Sequence, residues 1–501
     1  MFQRLRLYFS PVPLLPRIGL VLGPILGLLT WVLVPEGYLS PDGPVPLGAA
    51  ARAAAGAGVW MAVWWLTEAI HISATALLPL VLFPLSGALP MEETAGSYGN
   101  PLIFLFLGGF VLSLSMQRWG LHRRIALHAL RISGEGTAGV IGGMMAITAT
   151  LSMWVSNTAT VVMMLPIAAS VVEQMLAGRE GSASGTNVRV ALMLGIAYAA
   201  SIGGIATLIG SPPNLLAASF ISETYGRKIS FVEWMTIGLP LVLIFLPATW
   251  YLLTKKLYPL EVTTIPSLPR HSREELRRLG PMSRGERVTM LVFSFAVLLW
   301  IFRPLIVAFE VNGGTPFSGL SDAGVAMLAA MLLFAWPVNL KEHEYVMSWG
   351  EMKELPWGVL ILFGGGLALA AAIEGNGLAQ YIGSQLSGLA ILPTIAVIGG
   401  VVLVIIFLTE LTSNTATTAA FLPILAGIAP VLGIESTELL IPAAIAASCA
   451  FMMPVATPPN ALVFATGAVE MRHMVRAGFW LNVIGVILVT LLAVTVVRWV
   501  G

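Results

Sequence analysis

The chain has 501 residues, of which 57% are hydrophobic and only 10% are charged, whereas a soluble domain has about 25% charged residues. This composition excludes an ordinary water-soluble protein. The formal charge of +1 provides no basic face for nucleic acid, and the single cysteine, Cys449, excludes an internal disulfide and a thiolate metal site. The sequence therefore predicts an integral protein of the lipid bilayer with no nucleic-acid partner.

The first apolar segment, residues 18–34, could begin either a signal peptide or a membrane anchor, because it follows three arginines. No small-residue cleavage site follows it, and its length comes close to a membrane span, so we interpret it as an anchor. Ten further apolar segments make about eleven predicted transmembrane helices. They are residues 53–70, 72–90, 101–117, 189–221, 235–254, 288–308, 323–339, 356–373, 440–468 and 475–499.

Two other apolar blocks, residues 137–176 and 391–432, are too long for one span, and each has the polar run Ser-Asn-Thr-Ala-Thr in its middle. We interpret both as re-entrant hairpins. With the N-terminus in the cytoplasm, 21 of the 26 Lys and Arg residues lie on the cytoplasmic side, as the positive-inside rule requires. The map therefore predicts a cytoplasmic N-terminus and an external C-terminus, with a hydrophilic cytoplasmic linker at 255–287.

The two halves of the chain repeat each other. Gly108 and Gly365, as well as the Ser-Asn-Thr-Ala-Thr runs at 156–160 and 413–417, share one offset of 257 residues. A second motif, Gly-Ser-Pro-Pro-Asn at 210–214, recurs as Ala-Thr-Pro-Pro-Asn at 456–460. The predicted hairpins enter from opposite sides, so the repeats are inverted. Inverted repeats with paired broken segments are typical of secondary transporters, which bind their substrate near the membrane midplane.

The repeated motifs break membrane helices and supply ligands. Two consecutive prolines remove two backbone donors, and the freed helix ends offer amides to anions and carbonyls to cations. Ser, Asn and Thr at a hairpin tip can coordinate sodium and donate to a carboxylate. Residues 134–176, 190–222, 391–434 and 440–468 contain no Lys or Arg. An anionic substrate would therefore be neutralised by helix ends, hydroxyls and bound cations, which favours symport with cations.

Other classes of membrane protein fit less well. An ion channel needs a pore lined by charged rings or carbonyls, and a cation/proton antiporter needs titratable carboxylates at the crossing point. Glu410 is the one such candidate. We expect its carboxylate to contact water or a neighbouring polar group, because Met153 occupies the equivalent position of the first repeat. No enzyme is predicted, since the six histidines show no ligand spacing and Cys449 has no adjacent base.

At these motifs the chain resembles the divalent anion to sodium symporter family, which includes the INDY-like dicarboxylate transporters. The resemblance covers nearly the whole chain and includes the stretches at 64–87, 363–370 and 448–465. It implies an all-α polytopic protein of the inner (plasma) membrane, a homodimer with scaffold and transport domains and an elevator-type movement. The implied segments are mainly scaffold helices at 1–100, a first repeat at 101–254, the linker at 255–287, scaffold helices at 288–355 and a second repeat at 356–501.

The resemblance also implies the binding residues. Both cation sites would have a hydroxyl one turn before the Ser-Asn-Thr run, and Ser152 and Thr409 share the 257 offset independently of the family. One sodium (Na+) is expected at Ser152, Ser156, Asn157 and Gly210, and a second at Thr409, Thr412, Asn414 and Ala456. The dicarboxylate is expected at Asn157, Thr158, Ser211, Asn414, Thr415 and Thr457, with Pro458 lining the pocket.

The implied function is sodium-coupled symport of C4-dicarboxylates such as succinate, malate or fumarate, by alternating access. Two alternatives within the family stay open. A sodium-independent dicarboxylate exchanger would have the same Ser-Asn-Thr runs, and the substrate could instead be sulfate or citrate. The sequence leaves the substrate and the stoichiometry undecided.

Overall fold

The computed structural model describes residues 14–40, 43–130, 136–176, 183–260, 274, 276–311, 314–385 and 391–498. The residues before 14 and much of the predicted linker 255–287 therefore lie outside the described residues. The chain divides into two compact units, each with segments from both halves of the sequence. Unit A contains the described residues up to 99, 357–393 and 415–436, and unit B contains those of 100–356, 394–414 and 437–501.

The first half of the chain is helical apart from one short antiparallel hairpin, in which β1 (Gly37–Ser40) pairs with β2 (Gly43–Pro46). Its helices, in chain order, are α1 Leu14–Leu33, α2 Ala49–Thr67, α3 Ile72–Thr75, α4 Pro79–Ser86, α5 Met91–Gly96, α6 Pro101–Arg118, α7 Leu121–Leu130, α8 Thr137–Ser152, α9 Asn157–Leu176, α10 Ala183–Gly204, α11 Pro212–Tyr225 and α12 Phe231–Tyr251. A π turn, Leu252–Leu257, continues α12.

The second half has a small hairpin of its own, β3 (Pro337–Asn339) with β4 (Glu344–Tyr345). Its helices are α13 Arg284–Val307, α14 Asp322–Ala335, α15 Trp357–Gly375, α16 Leu378–Gln385, α17 Thr394–Thr409, α18 Asn414–Ile428, α19 Ser436–Ala447, α20 Pro458–Ala465 and α21 Met471–Leu492. A π turn, Ala493–Val497, continues α21.

Seven helical stretches among the described residues are long and apolar enough to cross a membrane. The other four predicted spans fall on α2, on α3 with α4, on α14, and on the broken pair α19 and α20. The prediction of one span at 323–339 is wrong in its extent, because α14 ends at Ala335. The residue before a proline favours extended backbone, and Trp336, which precedes Pro337, has φ −83° and ψ 117°.

In unit A, α1 packs against α2 through glycines spaced four residues apart. Gly19, Gly23 and Gly27 are the buried residues of α1. A Cβ atom on Gly27 would lie 2.8 Å from the carbonyl oxygen of Gly56 on α2. Small residues let membrane helices approach this closely, while the large apolar side chains on the rest of α1 are exposed and suited to lipid.

In unit B, the amphipathic helix α7 is tied to the start of α13. Arg124 donates from Nε and Nη2 to the two carboxylate oxygens of Glu286, at 2.8 and 3.2 Å, and both side chains are largely buried. His122 is also buried, with its Nδ1 2.8 Å from the carbonyl oxygen of Met116. These bonds fix the helix that leads into the first predicted hairpin.

Candidate functional site

Four of the helices that carry or flank the predicted ligands pack together in unit B. Helices α8 and α9, which form the first predicted hairpin, both contact α10, and the short helix α20 contacts α9 and α10. Each helix ends or begins at a polar break. The first repeat has breaks at 153–156 and 205–211, and the second has breaks at 410–413 and 448–457. The bounds of α8 and α9 coincide with the predicted hairpin 137–176.

The first tip brings three of the predicted cation ligands to one point. Ser152 is fully buried, and its hydroxyl donates to the carbonyl oxygen of Ala200 at 2.8 Å. One terminal atom of the Asn157 amide lies 2.6 Å from Ser152 Oγ, 3.1 Å from Ala200 O and 3.3 Å from Gly210 O. The sequence predicted Ser152, Asn157 and Gly210 here, but it did not predict the carbonyl of Ala200.

The surroundings of that amide atom are all oxygen. If this atom is the amide nitrogen of Asn157, it donates to the surrounding oxygens. If it is the amide oxygen, a cation between the oxygens would be needed, because acceptors that face each other repel. Gly204 lies directly beside it. A Cβ at Gly204 would be 2.5 Å from Asn157 Oδ1 and 3.0 Å from Gly210 O, so a side chain there would displace the amide.

The second tip repeats this arrangement. Thr409 is fully buried and its Oγ1 is 2.8 Å from Asn414 Oδ1 and 3.1 Å from the carbonyl oxygen of Ala447, the last residue of α19. Ala456 is buried in the adjoining break. The Thr412 hydroxyl donates to the carbonyl oxygen of Leu408, at 3.0 Å. In each repeat a hydroxyl, an asparagine amide and a carbonyl from the last five residues of a neighbouring helix therefore meet.

Asn214 and Asn460, which end the two Pro-Pro-Asn motifs, hold the broken helices in shape. Both are fully buried, and each donates its amide nitrogen to carbonyl oxygens ten and seven residues earlier, at distances between 2.8 and 3.2 Å. These acceptors are Gly204 and Thr207 for Asn214, and Ala450 and Met453 for Asn460. Sequence reasoning assigned no role to either asparagine, although their recurrence at offset 246 was a usable signal.

The two Pro-Pro breaks meet through their hydroxyls. Ser211 Oγ lies 3.1 Å from Ser448 Oγ, and both side chains are buried. Thr457 caps α20, since its hydroxyl accepts from the backbone N–H of Asn460. Pro458 is the exposed first residue of α20. Among these predicted substrate residues, Ser211 therefore links one break to the other by a hydrogen bond.

The remaining predicted residues lie at the starts of α9 and α18. Ser156 Oγ accepts from the backbone N–H of Ala159 and so caps α9, whereas Thr158 is exposed on the first turn. Thr415 follows Asn414 directly and is buried. Thr158 is therefore the more exposed of the two residues at this helix end.

Aromatic packing anchors the first tip, whereas an exposed leucine stands at the equivalent position of the second. Trp154 stacks on Phe231 with ring centroids 5.9 Å apart, and its edge meets Phe293. Phe231 stacks in turn on Trp300 at 4.7 Å. The repeat position of Trp154 is Leu411, whose side chain is 68% exposed. The two tips are therefore alike in their polar bonds and different in how they are packed.

Comparison with known proteins places these features in a family. A family model described as the sodium:sulfate symporter transmembrane region matches residues 27–501. The chain is 40% identical over 478 residues to the sodium-dependent dicarboxylate transporter SdcS of Staphylococcus saprophyticus, covering 95% of this chain and 90% of that protein. It is also 40% identical over 479 residues to the SdcS of Staphylococcus aureus, with the same coverage.

Two solved transporter structures have a similar fold. The crystal structure of the Alcanivorax borkumensis YdaH transporter gives a TM-score of 0.58 at 16% identity and covers 96% of this chain and 98% of that one. The structure of Neisseria gonorrhoeae MtrF, described as illuminating a class of antimetabolite efflux pumps, gives 0.61 at 12% identity, with coverages of 98% and 97%. At these identities the likeness shows the fold alone.

Proposed function

The chain belongs to the sodium:sulfate symporter family, and we propose that within it this multi-pass membrane protein couples the entry of sodium to the uptake of C4-dicarboxylates such as succinate, malate or fumarate. The curated relatives at 40% identity are named sodium-dependent dicarboxylate transporters. The observation that carries the proposal is the duplicated oxygen cluster, in which Ser152 with Asn157 and Thr409 with Asn414 each meet a backbone carbonyl near the end of a neighbouring helix.

The two clusters suit a monovalent hard cation. The first offers the Ser152 hydroxyl, the Asn157 amide oxygen and the carbonyls of Ala200 and Gly210, all uncharged oxygens. We assign one sodium to this cluster, with Ser156 nearby. We assign a second sodium to Thr409 and Asn414, with Thr412 and the carbonyl of Ala456.

We place the dicarboxylate beside the two tips, at the substrate residues predicted above. The broken segments contain no Lys or Arg to neutralise its charge. Helix N-termini and two bound sodium ions supply positive charge in their place. Bound sodium attracts the dicarboxylate and raises its affinity, and because coupling between two ligands is reciprocal, the dicarboxylate raises the affinity for sodium by the same factor. This reciprocity is the physical reason to expect symport.

The movement and assembly follow from the family pattern and are part of the proposal. The blocks at 137–176 and 391–432 act as re-entrant hairpins of a transport domain that moves in an elevator-like manner against a scaffold. The N-terminus lies in the cytoplasm and the C-terminus outside, and two copies form a homodimer. Cysteine accessibility at each terminus tests the orientation, and cross-linking in native membranes that yields only monomer would overturn the dimer.

Uptake of labelled succinate into proteoliposomes tests the function. An inward sodium gradient is compared with choline in its place, each with and without internal succinate. Uptake that requires sodium but no internal succinate supports symport. Uptake that requires internal dicarboxylate and ignores sodium identifies an exchanger instead. If succinate does not enter under any condition while labelled sulfate or citrate does, the substrate assignment is wrong.

A further inference from the structure

Glu410 is a buried carboxylate, 3% exposed, and both its oxygens accept hydrogen bonds from one short stretch of backbone. Oε1 accepts from the N–H groups of Phe451 and Met452 at 2.6 and 2.9 Å. Oε2 accepts from those of Met452 and Met453, both at 3.0 Å. The amide nitrogen of Asn482 on α21 donates to Oε1 at 2.8 Å. Each carboxylate oxygen therefore has at least two donors.

Three consecutive N–H groups can face one anion only because the helix is broken at 448–457. In an intact helix they would bond to carbonyls four residues earlier, and here the carboxylate takes those bonds instead. Successive backbone N–H groups form an anion-binding concavity of this kind, and bonds to a charged acceptor are about twice as strong as neutral ones. The carboxylate therefore sets the shape of the break.

This break and the residue before Glu410 both belong to the proposed second cation site. Thr409 bonds to Asn414 and to the carbonyl of Ala447, where α19 ends and the break begins. Ala456 lies within the same break. Glu410 thus connects the end of α17 to the segment that carries the carbonyl ligand.

The first repeat connects its hairpin tip to its break without a charge. Met153 stands in place of Glu410, and the hydroxyl of Thr207 donates to its carbonyl oxygen. The backbone N–H of Gly210 then donates to Thr207 Oγ1 at 3.1 Å. These two bonds of the first break are neutral, so the carboxylate of Glu410 distinguishes the second cation site from the first.

We propose that Glu410 is a positioning residue for the second cation site. It holds the break at 448–457 against the end of α17, which keeps the Thr409 hydroxyl, the Asn414 amide and the Ala456 carbonyl in register for sodium. Its charge adds long-range attraction for the cation. Glu410 is not itself a ligand, because backbone and amide donors occupy both of its oxygens. This inference rests on the proposed sodium coupling.

The variant Glu410→Gln tests the inference, since glutamine keeps the shape but turns an NH₂ group toward backbone N–H donors. The loss of charge-assisted bonds is expected to raise the half-saturating sodium concentration for succinate uptake roughly tenfold or more. The steepness of the sodium dependence should also fall, because one of two sodium sites is weakened. Glu410→Asp, which keeps the charge, should recover part of the loss.

Glu438→Gln is the matched control. Glu438 is also a buried carboxylate, but it lies on α19, and its Oε1 is 3.7 Å from Nε of Arg498. Asn482→Ala is a second variant, which removes one donor and keeps the carboxylate. It should raise the half-saturating sodium concentration less than Glu410→Gln does. Stabilisation of each purified protein by sodium relative to choline, measured as a shift in Tm, gives a readout independent of transport.

The outcomes separate the two proposals. If wild-type uptake ignores sodium, the proposed coupling fails and this inference fails with it. If wild-type uptake depends on sodium, but Glu410→Gln and Asn482→Ala both keep the wild-type sodium dependence and Tm shift, the coupling stands and the positioning role is refuted. A drop in maximal uptake alone, with unchanged sodium dependence, also refutes it, because that result indicates a general structural role.

Discussion

Replacing Gly204 with alanine is expected to weaken sodium binding at the first cation site. The new Cβ would lie 2.5 Å from Asn157 Oδ1, whereas ordinary contacts begin at 3.4 Å, so the amide must retreat by about 0.9 Å. A retreat of that size breaks its alignment with Ser152, Ala200 and Gly210. Overpacking of this kind costs about 1–3 kcal/mol, which corresponds to a roughly five- to 150-fold higher half-saturating sodium concentration.

The assay is succinate uptake into proteoliposomes over a range of sodium concentrations, with the Tm shift caused by sodium as a second readout. Gly400→Ala is the control, because Gly400 on α17 has no atom within 4 Å of its added Cβ. It should behave as wild type. If Gly204→Ala folds and shows the same sodium dependence as Gly400→Ala, the Asn157 amide does not take part in cation binding and the reasoning is wrong.

Three further predictions concern the tips and the helix that leads to them. Asn157→Ala and Asn414→Ala should each abolish most succinate uptake, and intact uptake in either variant would contradict the paired-tip site. Ser152→Ala and Thr409→Ala should each raise the half-saturating sodium concentration about fivefold, the equivalent of one hydrogen bond of ~1 kcal/mol; a lower maximal uptake alone would remove the cation assignment. Burial lowers the pKa of His122 below its usual value, so the unfolded chain binds the proton more readily and stability should fall as the pH drops through about 6.5. His122→Asn should therefore reduce the decrease in Tm between neutral and acidic pH. If the variant has the same dependence of Tm on pH as the wild type, groups other than His122 cause the decrease.

The sequence by itself predicted the features that depend on local chemistry. Hydrophobic length identified the membrane class, and the Pro-Pro and Ser-Asn-Thr motifs located the four breaks. The offset of 257 also paired Ser152 with Thr409, and the structure gives both hydroxyls the same kinds of partner. Such features are readable because hydrocarbon demands apolar length and internal hydrogen bonds, and because two consecutive prolines cannot extend a preceding helix and instead stand at the start of a new one.

The sequence was silent on hydrogen bonds that side chains make to nearby backbone carbonyls and was less reliable for the length of individual helices. It predicted Thr412 as a cation ligand and did not predict that the Thr412 hydroxyl donates to the carbonyl of Leu408. It predicted a span at 323–339, where α14 is only 14 residues long. A hydroxyl can bond to its own helix as readily as to a ligand, and hydropathy does not register where a helix gives way to a strand.

Only the tertiary structure decided which distant groups complete each site. The carbonyls of Ala200 and Ala447 meet hydroxyls that lie 48 and 38 residues away in the chain. Glu410 finds backbone donors more than 40 residues further on, and nothing in its own neighbourhood points to them. Every residue has a carbonyl and every residue other than proline has an N–H group, so their use as partners depends on where helices break and how those ends pack, which no local pattern specifies.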